Sequence, residues 1–201
     1  GHLERRPDGA RADGTAPICT HRLRDENHDP IVSRCLALGV TNRAEDLLKV
    51  IFVPVYLCEG DGVLNLPYYE VLQGVDLGVF PSQYEPWGYT PLESVVYAVP
   101  TITTDQAGFG LWVQESDDLA HDRGVLVLPR RGRSRDEVVK ALAQQLRTFI
   151  AWSDEELAAQ RAAARAIGGR ARWTEFYQKY LNGYELALRS AEKRAFRREA
   201  I

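Results

Sequence analysis

Two carboxylates eight positions apart, Glu85 and Glu93, bracket Pro86, Trp87, Gly88, Tyr89 and Thr90, and this is the stretch of the chain best equipped for chemistry. Paired carboxylates invite comparison with the acid and base of a glycosidase. On an uninterrupted helix they would be separated by about 12 Å of rise, beyond the roughly 5 to 9.5 Å of glycosidase pairs. The intervening loop and Pro91 leave their true separation open. The residues between them suit a different task. Gly88 lets backbone approach a ligand closely, and amides near Gly88, Tyr89 and Thr90 can hold a phosphate where a helix begins. Taken alone, the side chains of Trp87 and Tyr89 read as packing aromatics.

The flanking pattern predicts the elements that hold these residues. Asp76-Leu-Gly-Val-Phe-Pro81 is a short apolar run closed by proline, which predicts a buried strand, and a loop follows from Ser82 to about Tyr89. Thr90, Pro91 and Glu93 then predict a helix start: hydroxyl at the N-cap, proline in the first turn, carboxylate reaching back in a capping box. Glu93 therefore has two readings, a capping carboxylate and a ligand contact. The helix would run through Ala98, and the β-branched run Thr101-Ile-Thr-Thr104 after Pro100 predicts another strand. A strand-loop-helix-strand unit of this kind places its ligand crevice at the carboxyl end of the strand. Neither a Walker-type phosphate loop nor a Gly-x-Gly-x-x-Gly occurs, which counts against a P-loop NTPase or a dinucleotide enzyme.

Pro81-Ser-Gln-Tyr-Glu-Pro-Trp-Gly-Tyr-Thr-Pro-Leu-Glu93, followed by Thr101-Ile-Thr-Thr-Asp-Gln-Ala-Gly-Phe-Gly110, resembles the donor-site signature of the animal and fungal type of glycogen synthase. These are retaining glucosyltransferases of GT-B architecture, with two facing Rossmann-like lobes. The resemblance implies an α/β fold: a Rossmann-like parallel sheet flanked by helices, part of the C-terminal lobe, with further C-terminal helices. It also implies roles. Glu85 would be the catalytic residue, beside the transferring glucose, and Glu93 would bind the nucleotide ribose. Trp87, Gly88, Tyr89 and Thr90 would hold the sugar and distal phosphate, mostly through backbone amides. Tyr68, in Pro67-Tyr-Tyr-Glu-Val-Leu-Gln-Gly74, would stack on uracil; outside the family pattern it reads as a boundary aromatic. Asp105 and residues 108–110 would form a loop near the sugar, and on their own read as a glycine-rich turn. The implied donor is UDP-glucose, with ADP-glucose left open, and the implied acceptor is the nonreducing end of an α-1,4-glucan. No cofactor and no metal is implied.

Composition narrows the class. With 201 residues, 45% hydrophobic and 26% charged, the chain can bury one substantial core. A net charge of −3 gives no footprint for nucleic acid, and the basic residues 189–198 read as a solvated helix end. Cys19, Cys35 and Cys58 lack any Cys-x-x-Cys spacing and read as free thiols in a reducing compartment, so the cytoplasm is the expected location. His21 and His28, with Asp25, Glu26 and Asp29, match no zinc spacing and read as a polar turn. No apolar run is long enough for a membrane span, and no secretory leader is evident.

Residues 1–16 are expected to be a disordered leader or an expression remnant, 17–135 the partial nucleotide-sugar-binding lobe, and 136–201 a helical segment. Residues 17–21 and 29–31 also resemble the family, where the matching strand and helix belong to the second lobe. Lys49 to Tyr56 and Val125 to Leu128 predict strands. Asp136 is the expected N-cap of the next helix, and Ser153 to Glu156 a second capping box. Trp173, Phe176, Tyr177, Tyr180, Leu181, Tyr184 and Leu188 recur at helical spacing and predict a packing stripe, either on this lobe or on a partner lobe. Arg161, Arg165, Arg170 and Arg172 are sparser than the family's effector-sensing cluster, and Arg130, Arg131 and Arg133 read as solvated surface. The resemblance runs from Pro17 to Leu188 and covers only the later part of the family's second lobe. The chain by itself is therefore expected to be inactive, with the glucan acceptor bound through the other lobe. A noncatalytic nucleotide-sugar or glucan-binding module is the rival reading, and homo-oligomerisation is left open.

Overall fold

Thr101–Thr104 is buried along its whole length, as a central parallel strand of β-branched residues should be. In the computed structural model, which describes residues 3–6, 15–116 and 123–199 (side chains of 27 and 195–199 excepted), this segment is β2. It pairs in parallel with β1 (Gly78–Val79) on one side and β3 (Val125–Leu128) on the other, giving the order β1-β2-β3. Helices link the strands. The expected α/β fold, a small Rossmann-like parallel sheet flanked by helices, is what the chain adopts. The expected leader, residues 1–16, lies largely outside the described residues.

The chain divides into two compact units, residues 1–71 and 72–201. In the first, α1 (Pro30–Ala37) begins where Asp29 accepts the amides of Ile31 and Val32, both at 2.9 Å, with Pro30 in the first turn. Val32 packs with Ile18 and Cys19, joined by Val50 and Phe52.

The strand expected over residues 49–56 is reduced to a single parallel bridge, Cys19 to Phe52. Phe52 N–H donates to Ile18 and its carbonyl accepts from Thr20, but the next donor in register would be Pro54, which has no N–H. On the other side, the Asn42 side chain takes both backbone groups of Val50, at 2.7 and 2.8 Å, and so replaces a strand partner.

The boundary between the units falls inside α2 (Tyr68–Gln73). Beyond it, α3 (Tyr89–Val96) connects β1 to β2, and α4 (Gly108–Glu115) connects β2 towards β3. Val95, Phe109, Val113 and Val125 form one core with Ala164 and Ile167 of α6 (Asp154–Arg170). On the other face, Ile102 and Leu128 meet Val138, with Leu142 and Leu146, from α5 (Arg135–Ile150). The long α7 (Trp173–Glu199) completes the chain, and no helix among the described residues is long and apolar enough to cross a membrane.

Capping departs from expectation twice. Ser134, not Asp136, caps α5: its hydroxyl accepts the Glu137 amide, and the Glu137 carboxylate takes the Ser134 amide at 2.8 Å. Asp136 lies inside the first turn, where its charge still favours the helix start. The box predicted at Thr90 and Glu93 does not form, because α3 begins one residue before Thr90, with Gly88 as its cap. The box at Ser153 and Glu156 forms as expected.

Candidate active site at the carboxyl end of the sheet

The loop from β1 to α3 is held by backbone bonds to the turn leaving β2. Glu85 N–H donates to Gln106 O at 3.2 Å, Gly108 N–H donates to Glu85 O at 3.1 Å, and Phe109 N–H donates to Trp87 O at 2.6 Å. Thr104 donates its hydroxyl to Ser82 O at 3.0 Å. These rungs carry the loop up to Gly88, whose carbonyl accepts from Leu92 at 3.3 Å, and they explain why the helix starts there.

Two glycines are required by this arrangement. Gly88 has φ +112°, and a side chain there would contact the Glu85 carboxylate, 3.4 Å from the added carbon. A Cβ on Gly108 would lie 2.3 Å from Pro86 O. Residues 108–110, expected as a glycine-rich turn or loop, are instead the first turn of α4. Gly108 is there for close approach of two backbones.

The structure brings Glu85, Trp87, Gly88, Tyr89, Thr90 and Glu93 together on this loop and the first turns of α3. The half-buried Glu85 carboxylate accepts from Ser82 Oγ at 3.1 Å. Tyr89 and Thr90 are exposed, and their amides make no hydrogen bond among the described residues. Glu93 is half-buried within α3. The Trp87 ring faces inwards, against Phe109, Trp112 and, at 4.9 Å between centroids, Phe176 of α7. Tyr68 opens α2 in the first unit, its ring 5.3 Å from that of Tyr69.

Beside Glu85 lies a cleft of about 310 Å³, whose lining includes Gln83, Tyr84, Gln106 and Arg131. Sequence reasoning passed over these residues and assigned Arg131 to the surface. Its signal was positional: Asp105 follows β2, Arg130 and Arg131 follow β3, and both ends lie at the carboxyl edge of a parallel sheet. The Asp105 carboxylate accepts the amides of Arg130 at 2.8 Å and Arg131 at 3.1 Å, and so ties the two ends together.

A parallel sheet flanked by helices, with a glycine-capped helix and a carboxylate at its carboxyl edge, is the arrangement of a Rossmann-like lobe. The chain belongs to the glycogen synthase family: the family model described as glycogen synthase matches residues 3–200. It is 36% identical over 183 residues to glycogen [starch] synthase isoform 1 of Saccharomyces cerevisiae, covering 90% of this chain and 26% of that protein. Against the Neurospora crassa glycogen [starch] synthase it is 34% identical, covering 98% of this chain and 28% of the relative. Against the mouse liver glycogen [starch] synthase the identity is 37%, over 87% of this chain and 25% of the relative. The chain thus spans about a quarter of the length of these relatives.

Proposed function

We propose that this chain is the donor-binding lobe of a glycogen synthase that transfers glucose from UDP-glucose or ADP-glucose to the nonreducing end of an α-1,4-glucan, with retention of anomeric configuration. The observation that carries this reading is the Gly88 cap of α3: the amides of two exposed residues, Tyr89 and Thr90, have no hydrogen-bond partner among the described residues and stand at the positive end of a helix directly after the Glu85 loop. Such a helix end suits the distal phosphate of a nucleotide sugar. The leaving group is then a nucleoside diphosphate, which needs stabilisation of negative charge more than a strong general acid. Glu85 stabilises the positive charge that develops on the glucosyl carbon and orients the sugar hydroxyls. Glu93 binds the ribose, and Tyr68 stacks on the base.

The rest of the enzyme supplies the cationic residues for the diphosphate, and this lobe alone does not turn over. In this reading the protein works in the cytoplasm and needs no metal.

Titration of the chain with UDP and with ADP, repeated on Tyr68→Ala and Glu93→Ala, tests the proposal. Nucleotide binding that both substitutions weaken is the expected result. A folded chain that binds neither nucleotide contradicts it and favours the noncatalytic module.

A further inference from the structure

Glu85 is held by two separate devices, one for its backbone and one for its carboxylate. Its amide donates to Gln106 O and its carbonyl accepts from Gly108, so the turn after β2 fixes the backbone. The carboxylate has a single partner among the described residues, the Ser82 hydroxyl, which donates to Oε2 at 3.1 Å. A carboxylate only accepts, so the hydroxyl proton must point at it, and the bond to a charged acceptor is of the stronger kind. Oε1 makes no hydrogen bond among the described residues and is left for a ligand.

Ser82 is itself set firmly before it meets Glu85. Its amide donates to Phe80 O at 2.9 Å, and its carbonyl accepts the Thr104 hydroxyl at 3.0 Å. The carbonyl before it, of Pro81, accepts from Arg130 Nη1 at 3.2 Å. Thr104 is fully buried, and its hydroxyl oxygen also accepts the Gln106 amide at 3.3 Å. The ends of β2 and β3 thus hold the backbone from which the hydroxyl is aimed.

Ser82 and Glu85 have the spacing of a capping box, but no helix starts at Ser82, and the Glu85 amide goes to Gln106 and not back to the serine. The backbone rungs to residues 106–109 give the loop its path without the Ser82 hydroxyl. Ser82 is also absent from the lining of the cleft that Glu85 lines, so it stands behind the carboxylate and reaches a ligand through it.

We propose that Ser82 is a positioning residue, which grips Glu85 by Oε2 and so fixes the direction in which Oε1 meets the glucosyl group. It rests on the reading of Glu85 given above, and adds the group that sets the carboxylate's orientation. A free glutamate side chain has several rotamers to lose, and a displacement of about 1 Å at a reacting centre can cost about 10²-fold in rate.

The test is steady-state kinetics of the complete protein as wild type, Ser82→Ala, Ser82→Thr, Glu85→Gln and the double variant Ser82→Ala/Glu85→Gln. Ser82→Ala is expected to lower kcat about tenfold, with donor KM within about twofold and thermal stability near wild type. Ser82→Thr, which keeps the hydroxyl, should restore most of the loss. In the Glu85→Gln background, removing the Ser82 hydroxyl should cost less than about twofold further. An unchanged kcat in Ser82→Ala, an equal loss in both backgrounds, or a Ser82→Ala protein that does not fold overturns the positioning role, while a low turnover in Glu85→Gln leaves the reading of Glu85 standing. Turnover of Glu85→Gln at the wild-type rate overturns both. Should the wild type transfer no glucose, the activity reading fails separately, and crystal structures of the chain and of Ser82→Ala decide the contact. A carboxylate that leaves its place without the hydroxyl supports the positioning, and one that stays overturns it.

Discussion

Trp87 of the loop between β1 and α3 and Phe176 of α7 meet edge to face, with ring centroids 4.9 Å apart and ring planes at 80°. Trp112 also packs on Phe176, at 5.7 Å, so that α7 is joined to the site through an aromatic cluster. Phe176 turns inwards from the terminal stripe and Leu181 is half-buried, whereas Trp173, Tyr177, Tyr180 and Tyr184 remain exposed. The Trp87 side chain is thereby committed to packing, so that a donor at this loop would meet its backbone and not its ring.

Phe176→Ala should therefore destabilise this unit by about 2–4 kcal/mol, near the range for loss of a large aromatic from a packed cluster. Denaturant unfolding measures it. Trp87→Phe should retain nucleotide affinity within about twofold, because the ring is outside the ligand face and the amides survive. A loss of tenfold or more, without loss of fold, would place the indole on the ligand.

Gly108→Ala should be worse than its size suggests. The added carbon would lie 2.3 Å from the Pro86 carbonyl oxygen, a backbone atom that cannot swing away. Overpacking of this kind costs about 1–3 kcal/mol and would push the Glu85 loop off the β2 turn. Thermal unfolding should show the loss of stability, and kinetics of the complete protein should show a fall in kcat larger than Gly132→Ala produces. Gly132 has open space at its Cβ position, so its substitution adds only the strain of a left-handed backbone and no clash.

The α5 cap makes a pH-dependent contribution. Hydrogen bonds from the Ser134 hydroxyl and then its amide hold the Glu137 carboxyl below its ordinary value of 4.5. A depressed folded-state pKa means the stabilisation is present above the unfolded value and is lost as pH falls through the folded one. The stability difference between wild type and Ser134→Ala should shrink as pH is lowered below about 4.5. A difference that stays constant from neutral pH to pH ~3 would contradict this origin.

Much of the architecture was legible because it is written locally. Thr101 to Thr104 and Val125 to Leu128 are β-branched or aliphatic runs, and both are strands. Ser153 and Glu156 satisfy each other within one turn, so four consecutive residues suffice to predict that cap.

What was missed depends on distant partners. The α3 cap lies at Gly88 and not at Thr90 because residues 106–109 hold the preceding loop. Lys49 to Tyr56 has strand composition, but Pro54 and the Asn42 side chain, not its own sequence preference, decide how far it pairs. Arg131 is exposed, as its charged neighbours suggested, but its place at the cleft could not be read from them. Only the pairing of β2 with β3 brings it to the cleft with Glu85.

The most direct test of the central claim is turnover of the complete protein carrying Glu85→Gln, with nucleotide affinity measured in parallel. The substitution keeps the size of the side chain and removes its charge. If Glu85 stabilises the developing glucosyl cation, transfer should fall by roughly 10²–10³-fold while nucleotide binding and thermal stability stay near wild type. Turnover within a few fold of wild type would contradict the account.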